Sequence, residues 1–208
     1  MRDMAGRLRG WAGAQWRHPR AGRRLAGVAL AAGAVLWFWN CLPQPLFAAP
    51  LSSAVYDRDG ALLGARIADD GQWRFAPPPR VPDKLAAAMV RFEDKRYYHH
   101  PGVDPVAVAR AAWLNLRRGE VVSGGSTLTM QVVRLARGNP PRTLREKAAE
   151  AAMALRLELG HGKQEILALY AANAPYGGNV VGVEAAAWRY FGHSPEQLSW
   201  AEATTLAV

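Results

Sequence analysis

Apolar and polar positions follow three rhythms along this chain. From Leu25 to Leu42 the residues are apolar or small, interrupted only by Asn40. At about 1.5 Å per residue, a helix over that stretch approaches the roughly 30 Å hydrocarbon core of a bilayer. Arg17, Arg20, Arg23 and Arg24 stand before it, and Trp37 and Trp39 lie near its far end. That asymmetry predicts a transmembrane signal anchor over 25–42 and a basic cytoplasmic tail over 1–24. A cleaved signal peptide fits less well: its apolar region is usually shorter, and Phe47-Ala48-Ala49 followed by Pro50 is a poor cleavage site.

The second rhythm is short and β-like. Pro43, Pro45 and Pro50 mark an extended exit from the apolar run. Ala54-Val55-Tyr56, the turn Asp57-Arg58-Asp59-Gly60 and the segment Ala61 to Ile67 read as a hairpin, and Asp69-Asp70-Gly71 turns into Gln72 to Phe75. Pro77-Pro78-Pro79 reads as a stiff spacer, so 43–80 is expected to be an extended, hairpin-bearing linker. From Pro82 onward Ala, Leu, Arg and Glu recur at helical spacing, with Asp83, Asp104, Thr143 and Ser199 as candidate caps. The fold class expected is mainly α, with one domain over 81–208.

Composition changes this picture in one respect. The 26 Lys and Arg against 17 Asp and Glu give a net charge of +9, which by itself suggests a polyanionic partner. Seven arginines and one acid precede Leu25, however, so six of those charges belong to the leader and act in orientation. The rest is only mildly basic, and no nucleic-acid partner is expected. The lone Cys41 says nothing about redox compartment and lacks the context of a lipoprotein cysteine.

Four segments carry candidate chemistry. The first, Glu93 to Gly102, ends an apolar helical stretch and crowds Glu93, Asp94, His99 and His100 together. A carboxylate at such a boundary is raised by desolvation and lowered by cations, so Glu93 is a candidate general base; a solvated helix end is the alternative. His99 and His100 lack the partner spacing of a metal site. The second, Ser123 to Gln131, places glycines and hydroxyls before a helix start, suited to an anion or to simple capping, without the Gly-Lys-Ser/Thr of a nucleotide phosphate loop. In the third, Arg142 to Glu150, Lys147 and Glu150 are three apart and share a helix face, giving a second carboxylate held by a cation or a plain surface pair. The fourth, from Ile166 through Asn173 to Gly192, reads as two helices joined by a glycine turn.

Taken in order, these segments resemble the family 51 glycosyltransferases, the peptidoglycan polymerases of penicillin-binding proteins. Glu93, Asp94, Tyr97, His100 and Gly102 match Glu-Asp-x-x-Phe-x-x-His-x-Gly, with tyrosine for phenylalanine. Gly124, Ser126, Thr127 and Gln131 match Gly-x-Ser-Thr-x-x-Gln-Gln, with Met130 for the first glutamine; the surrounding Gly-Gly-Ser-Thr-Leu-Thr-Met-Gln is most similar to the 1C branch. Lys147 and Glu150 match Arg-Lys-x-x-Glu, with Glu146 in the arginine position. Leu198 to Ala203 resembles the last helix motif.

The resemblance implies a lysozyme-like helical glycosyltransferase domain that joins lipid II disaccharides into glycan strands, displacing polyprenyl diphosphate with inversion. Glu93 is implied as the base, with Asp94 and Glu150 as further catalytic carboxylates. Lys147, Ser126, Thr127, Gln131, Gly124, His100 and Asn173 are implied as substrate-binding residues, with Arg142 and Arg145 offsetting Glu146 at the diphosphate. No cofactor is expected to be required; a divalent cation at the diphosphate is the one candidate. Expected partners are lipid II, the growing strand, the cytoplasmic membrane and other cell-wall synthesis proteins. The expected location is the bacterial inner membrane, single-pass, with the N-terminus cytoplasmic and the domain periplasmic. A weak cell-wall scaffold and a lysozyme-like glycan hydrolase are the alternatives. Ser-x-x-Lys and Lys-Thr-Gly are both missing, so no transpeptidase activity is expected of these residues, and the helical pattern running to Val208 suggests truncation.

Overall fold

The computed structural model describes residues 19–208, with side chains from Arg23 onward; most of the expected basic tail lies outside the described residues. Two compact units divide at Asn40 and Cys41. The first contains α1, Pro19–Asn40. The helix expected from the apolar run is present, but its bounds differ. It ends at Asn40, whose side chain donates to the Leu36 carbonyl, while Cys41 and Leu42 leave the helix and pack against the core of the second unit. Arg23 and Arg24 lie inside the helix. Among the described residues, no helix is long and apolar enough to cross a membrane.

The second unit, 41–208, is mainly helical with one small sheet. Strands β1 (Ser53–Tyr56) and β2 (Leu62–Arg66) pair antiparallel with a bulge between Val55 and Tyr56. The turn is held by Asp57, whose carboxylate accepts from the N–H groups of Asp59 and Ala61. Gln72 to Phe75 adds no third hairpin strand. Trp73 instead bridges to Val180, and Phe75 is buried with Val180, Ala185 and Ala186 in a small satellite core. The segment expected as a linker is thus packed into the folded unit.

The helices that follow are α2 (Asp83–Glu93), α3 (Pro105–Arg118), α4 (Leu128–Ala136), α5 (Leu144–Glu158), α6 (Lys163–Asn173), α7 (Val183–Phe191) and α8 (Trp200–Ala207). Asp104, Thr143 and Ser199 cap α3, α5 and α8 by accepting from backbone N–H groups, as their residue types predict. Asp83 does not cap: Pro82 holds that position, and Asp83 pairs with Arg80 at 3.0 Å. Short α4 is the hub. It packs on α5 and α6, while α2 packs on α8. Leu128, Met130, Val132 and Val133 of α4 are fully or almost fully buried beside Leu85, Met89, Leu157 and Leu167. A nine-residue helix is marginal alone, so this burial is what keeps α4 helical and fixes where its polar residues point.

Candidate active site

The polar residues of α4 organise the site. Gln131 and Arg134 are three apart and so share a face. The Gln131 amide donates to the Glu93 carboxylate at the end of α2 (2.7 Å), and Arg134 reaches Glu150 on α5 (3.3 Å). One helix face therefore holds two of the three acids that the sequence marks for chemistry. Just before α4, the Ser126 hydroxyl accepts from the Lys147 ammonium. Glu93 and Lys147 are partly exposed, Gly124 and Ser126 exposed.

One expected pairing is not made. Lys147 does not hold Glu150, although they share a face of α5. Lys147 reaches the loop ahead of α4, and Glu150, buried at 4% exposure, takes its cation from Arg134. Sequence reasoning missed Arg134; its three-residue offset from Gln131 was the available signal.

The adjacent acid Asp94 does something different. It caps the C-terminus of α2, is buried, and accepts from the Leu128 N–H at the first turn of α4 (3.1 Å), where the helix dipole favours an anion. Nε2 of His100 lies 3.1 Å from both of its oxygens. Because a carboxylate only accepts, Nε2 carries the proton. Thr127 is equally enclosed: its hydroxyl donates to the Gly102 carbonyl and accepts from the Met130 N–H as the α4 cap. Gly102 is obligatory here, since at φ +87° a Cβ would lie 2.7 Å from the Ala154 carbonyl oxygen. Asp94, His100 and Thr127, expected at the catalytic or substrate face, have their partners inside the fold. Asn173 likewise has its partner within its own helix. Its amide folds back on the Leu169 carbonyl of its own helix, along a groove of about 670 Å³ also lined by Leu46, Phe47, Arg74 and Phe75.

The three departures from the family motifs each have a structural account. Tyr97, in place of phenylalanine, is fully buried; its hydroxyl donates to the Lys163 carbonyl (2.7 Å), and the Lys163 ammonium sits 4.4 Å from its ring centre. Burial pushes this phenol well above its ordinary range, so it stays a donor. Met130, in place of glutamine, points into the core at 2% exposure. Glu146, in place of arginine, pairs with Arg137 at 2.7 Å, so its negative charge is matched by a cation from the end of α4. Arg142 and Arg145 are exposed.

Among the described residues, Asp94, His100 and Asp104 lie close enough to share a metal ion. The donor set does not fit one. The Asp94 oxygens face His100 and Leu128, and Asp104 accepts from the N–H groups of Val106 and Ala107 and faces Arg96 at 3.4 Å. An arginine beside the carboxylate occupies the electrostatic role of a cation.

The domain is mainly helical, one short helix holds two carboxylates from its neighbours, and a lysine reaches the hydroxyl loop before it. The transglycosylase family profile matches residues 60–208, and the chain belongs to that family. It is 43% identical over 196 residues to penicillin-binding protein 1C of Escherichia coli (strain K12), covering 89% of this chain and 25% of that protein. It is 39% identical over 159 residues to penicillin-binding protein 1A of Aquifex aeolicus (strain VF5), covering 76% and 22%. Penicillin-binding protein 1A of Escherichia coli is 39% identical over 155 residues, covering 74% and 18%. The chain thus spans about a quarter or less of these relatives.

Proposed function

We propose that this chain is a peptidoglycan glycosyltransferase of lysozyme-like architecture that polymerises lipid II. Glu93 takes the proton of the 4-hydroxyl of one disaccharide as that oxygen attacks the anomeric carbon of another. The bond from that carbon to the diphosphate oxygen breaks with inversion, and the polyprenyl diphosphate leaves carrying the electron pair. Lys147 and the Ser126 hydroxyl meet the growing negative charge on the diphosphate, with Arg142 and Arg145 outside them. Glu150, held by Arg134, is the second carboxylate. Lys147, Arg142 and Arg145 supply the positive charge at the diphosphate, and no step is routed through a divalent cation.

The observation that carries this reading is the shared α4 face, which presents Glu93 through Gln131 and Glu150 through Arg134. Membrane attachment through α1 belongs to the same proposal. Leu25, Val28, Leu30 and Leu36 are exposed, Trp37 and Trp39 stand near one end, and Arg23 and Arg24 toward the other can snorkel to a headgroup layer. A cytoplasmic N-terminus and a periplasmic domain, near the lipid-linked substrate and other cell-wall synthesis proteins, are proposed from the seven arginines of the leader and not from the length of α1.

The test is polymerisation of labelled lipid II. Glu93→Gln keeps the side-chain shape and removes the base, so strand formation is expected to fall by at least about 100-fold. Unchanged strand formation in that variant overturns the assignment. Digestion of preformed glycan by the wild-type chain, with no polymer made from lipid II, would instead establish a hydrolase.

A further inference from the structure

We propose that Tyr170 is a positioning residue for this reaction, acting on Glu93 through the Gln131 amide. The inference rests on the reading of Glu93 as the base. Tyr170 lies on α6, and its hydroxyl is 3.3 Å from Gln131 Oε1, while Gln131 Nε2 is 2.7 Å from Glu93 Oε2. Tyrosine, amide and carboxylate form one directed chain across three helices.

The direction follows from the donor inventory. A carboxylate only accepts, so Gln131 must turn its NH2 toward Glu93. The two ends of a glutamine amide are nearly isosteric, and a flipped amide would put carbonyl oxygen against carboxylate oxygen. The carboxylate selects the orientation, and a hydroxyl that donates to Oε1 anchors the other end of the amide in it. Tyr170 is suited to the task because burial, reinforced by the charge of Glu93, pushes its phenol far above the ordinary range; it is a donor at any working pH. The amide holds Oε2 of Glu93, leaving the other oxygen to address the substrate hydroxyl. The place of Tyr170 in this chain is not legible from motif spacing, because Tyr170 and Gln131 are thirty-nine residues apart.

The experiment is a double-mutant cycle in the full chain, with Tyr170→Phe, Gln131→Ala and the pair, read as kcat and KM for lipid II polymerisation. Tyr170→Phe is expected to lower kcat roughly 10-fold with KM unchanged, and to cost nothing further once Gln131 is alanine. Equal losses in both backgrounds, or no loss in either, overturn the proposal. A second readout does not depend on turnover: in 15N spectra the Gln131 side-chain amide is expected to move toward free-glutamine shifts in Tyr170→Phe. An unmoved amide signal also overturns it. If Glu93→Gln polymerises normally while the amide signal does move, the tyrosine positions the amide but the Glu93 reading fails, and the positioning role in catalysis fails with it. Tyr176→Phe is the control: that buried hydroxyl has no hydrogen-bond partner among the described residues, and its loss is expected to leave kcat unchanged.

Discussion

The two ends of α4 both meet carboxylates and treat them in opposite ways. At the N-terminal end, Asp94, His100 and Thr127 are buried: Asp94 accepts from His100 and from the Leu128 N–H, and Thr127 donates to the Gly102 carbonyl. Toward the C-terminal end, Gln131, Arg134 and Arg137 reach outward to acids on other helices: Glu93, Glu150 and Glu146. Glu93 and Asp94 are neighbours in sequence, yet one is partly exposed with a single glutamine on it, and the other is enclosed. A carboxylate whose lone pairs are all engaged is a structural brace; one with an oxygen to spare can take a proton.

Asp94→Ala breaks this division most severely. It removes the acceptor for the Leu128 N–H and for His100 Nε2, leaving two buried donors unpaired, at a cost of about 3–5 kcal/mol. A large fall in the denaturation midpoint is expected, with loss of turnover following loss of fold. A folded, equally stable but inactive Asp94→Ala protein would show that the enclosed end also takes part in chemistry.

Arg134→Met tests the other end. It leaves Glu150 buried beside an apolar side chain, and because Arg134 is itself 21% exposed at its side chain, the expected cost is smaller, about 2 kcal/mol. Adding Glu150→Gln removes the stranded charge and is expected to restore most of the stability but not the polymerisation rate. Recovery of both by the pair would mean that Glu150 has no part in turnover.

The same contrast explains what was legible in the sequence. Helix periodicity located the α segments, and Asp104, Thr143 and Ser199 declared themselves as caps, because capping is a local matter of one hydroxyl or carboxylate and the next turn. The motif residues around Glu93 and Ser126 do meet at α4. Sequence could not show which of two adjacent acids would be enclosed, since that depends on where α4 docks. Nor could it show that Lys147 would pass over Glu150 for Ser126, or that Tyr170 would stand behind Gln131. Spacing on α5 favours the short-range pair, and tertiary packing overrides it. The bounds of α1 fail for a related reason: Cys41 and Leu42 are apolar enough to continue the helix, but they serve the core of the other unit.

The smallest effect expected is on acid sensitivity, and it also separates the two ends. Asp104 caps α3 and faces Arg96 within the enclosed cluster. Burial alone would raise its carboxyl, but the N–H groups of Ala107 and Val106, helped by Arg96, hold it below the ordinary range. With a folded value below the unfolded one, the unfolded chain takes up the proton first as pH falls. The contribution is thus fully present above about pH 4, the unfolded aspartate value, and is lost as pH drops through the lowered folded value. Asp104→Asn keeps an oxygen for the cap and discards the titration. Its midpoint temperature is expected to lie slightly below wild type at pH 7, where the Arg96 pair is lost, and to decline less steeply below pH 4. Parallel curves for the two proteins would move the acid-sensitive element away from the enclosed end, toward the carboxylates that α4 holds at its other end.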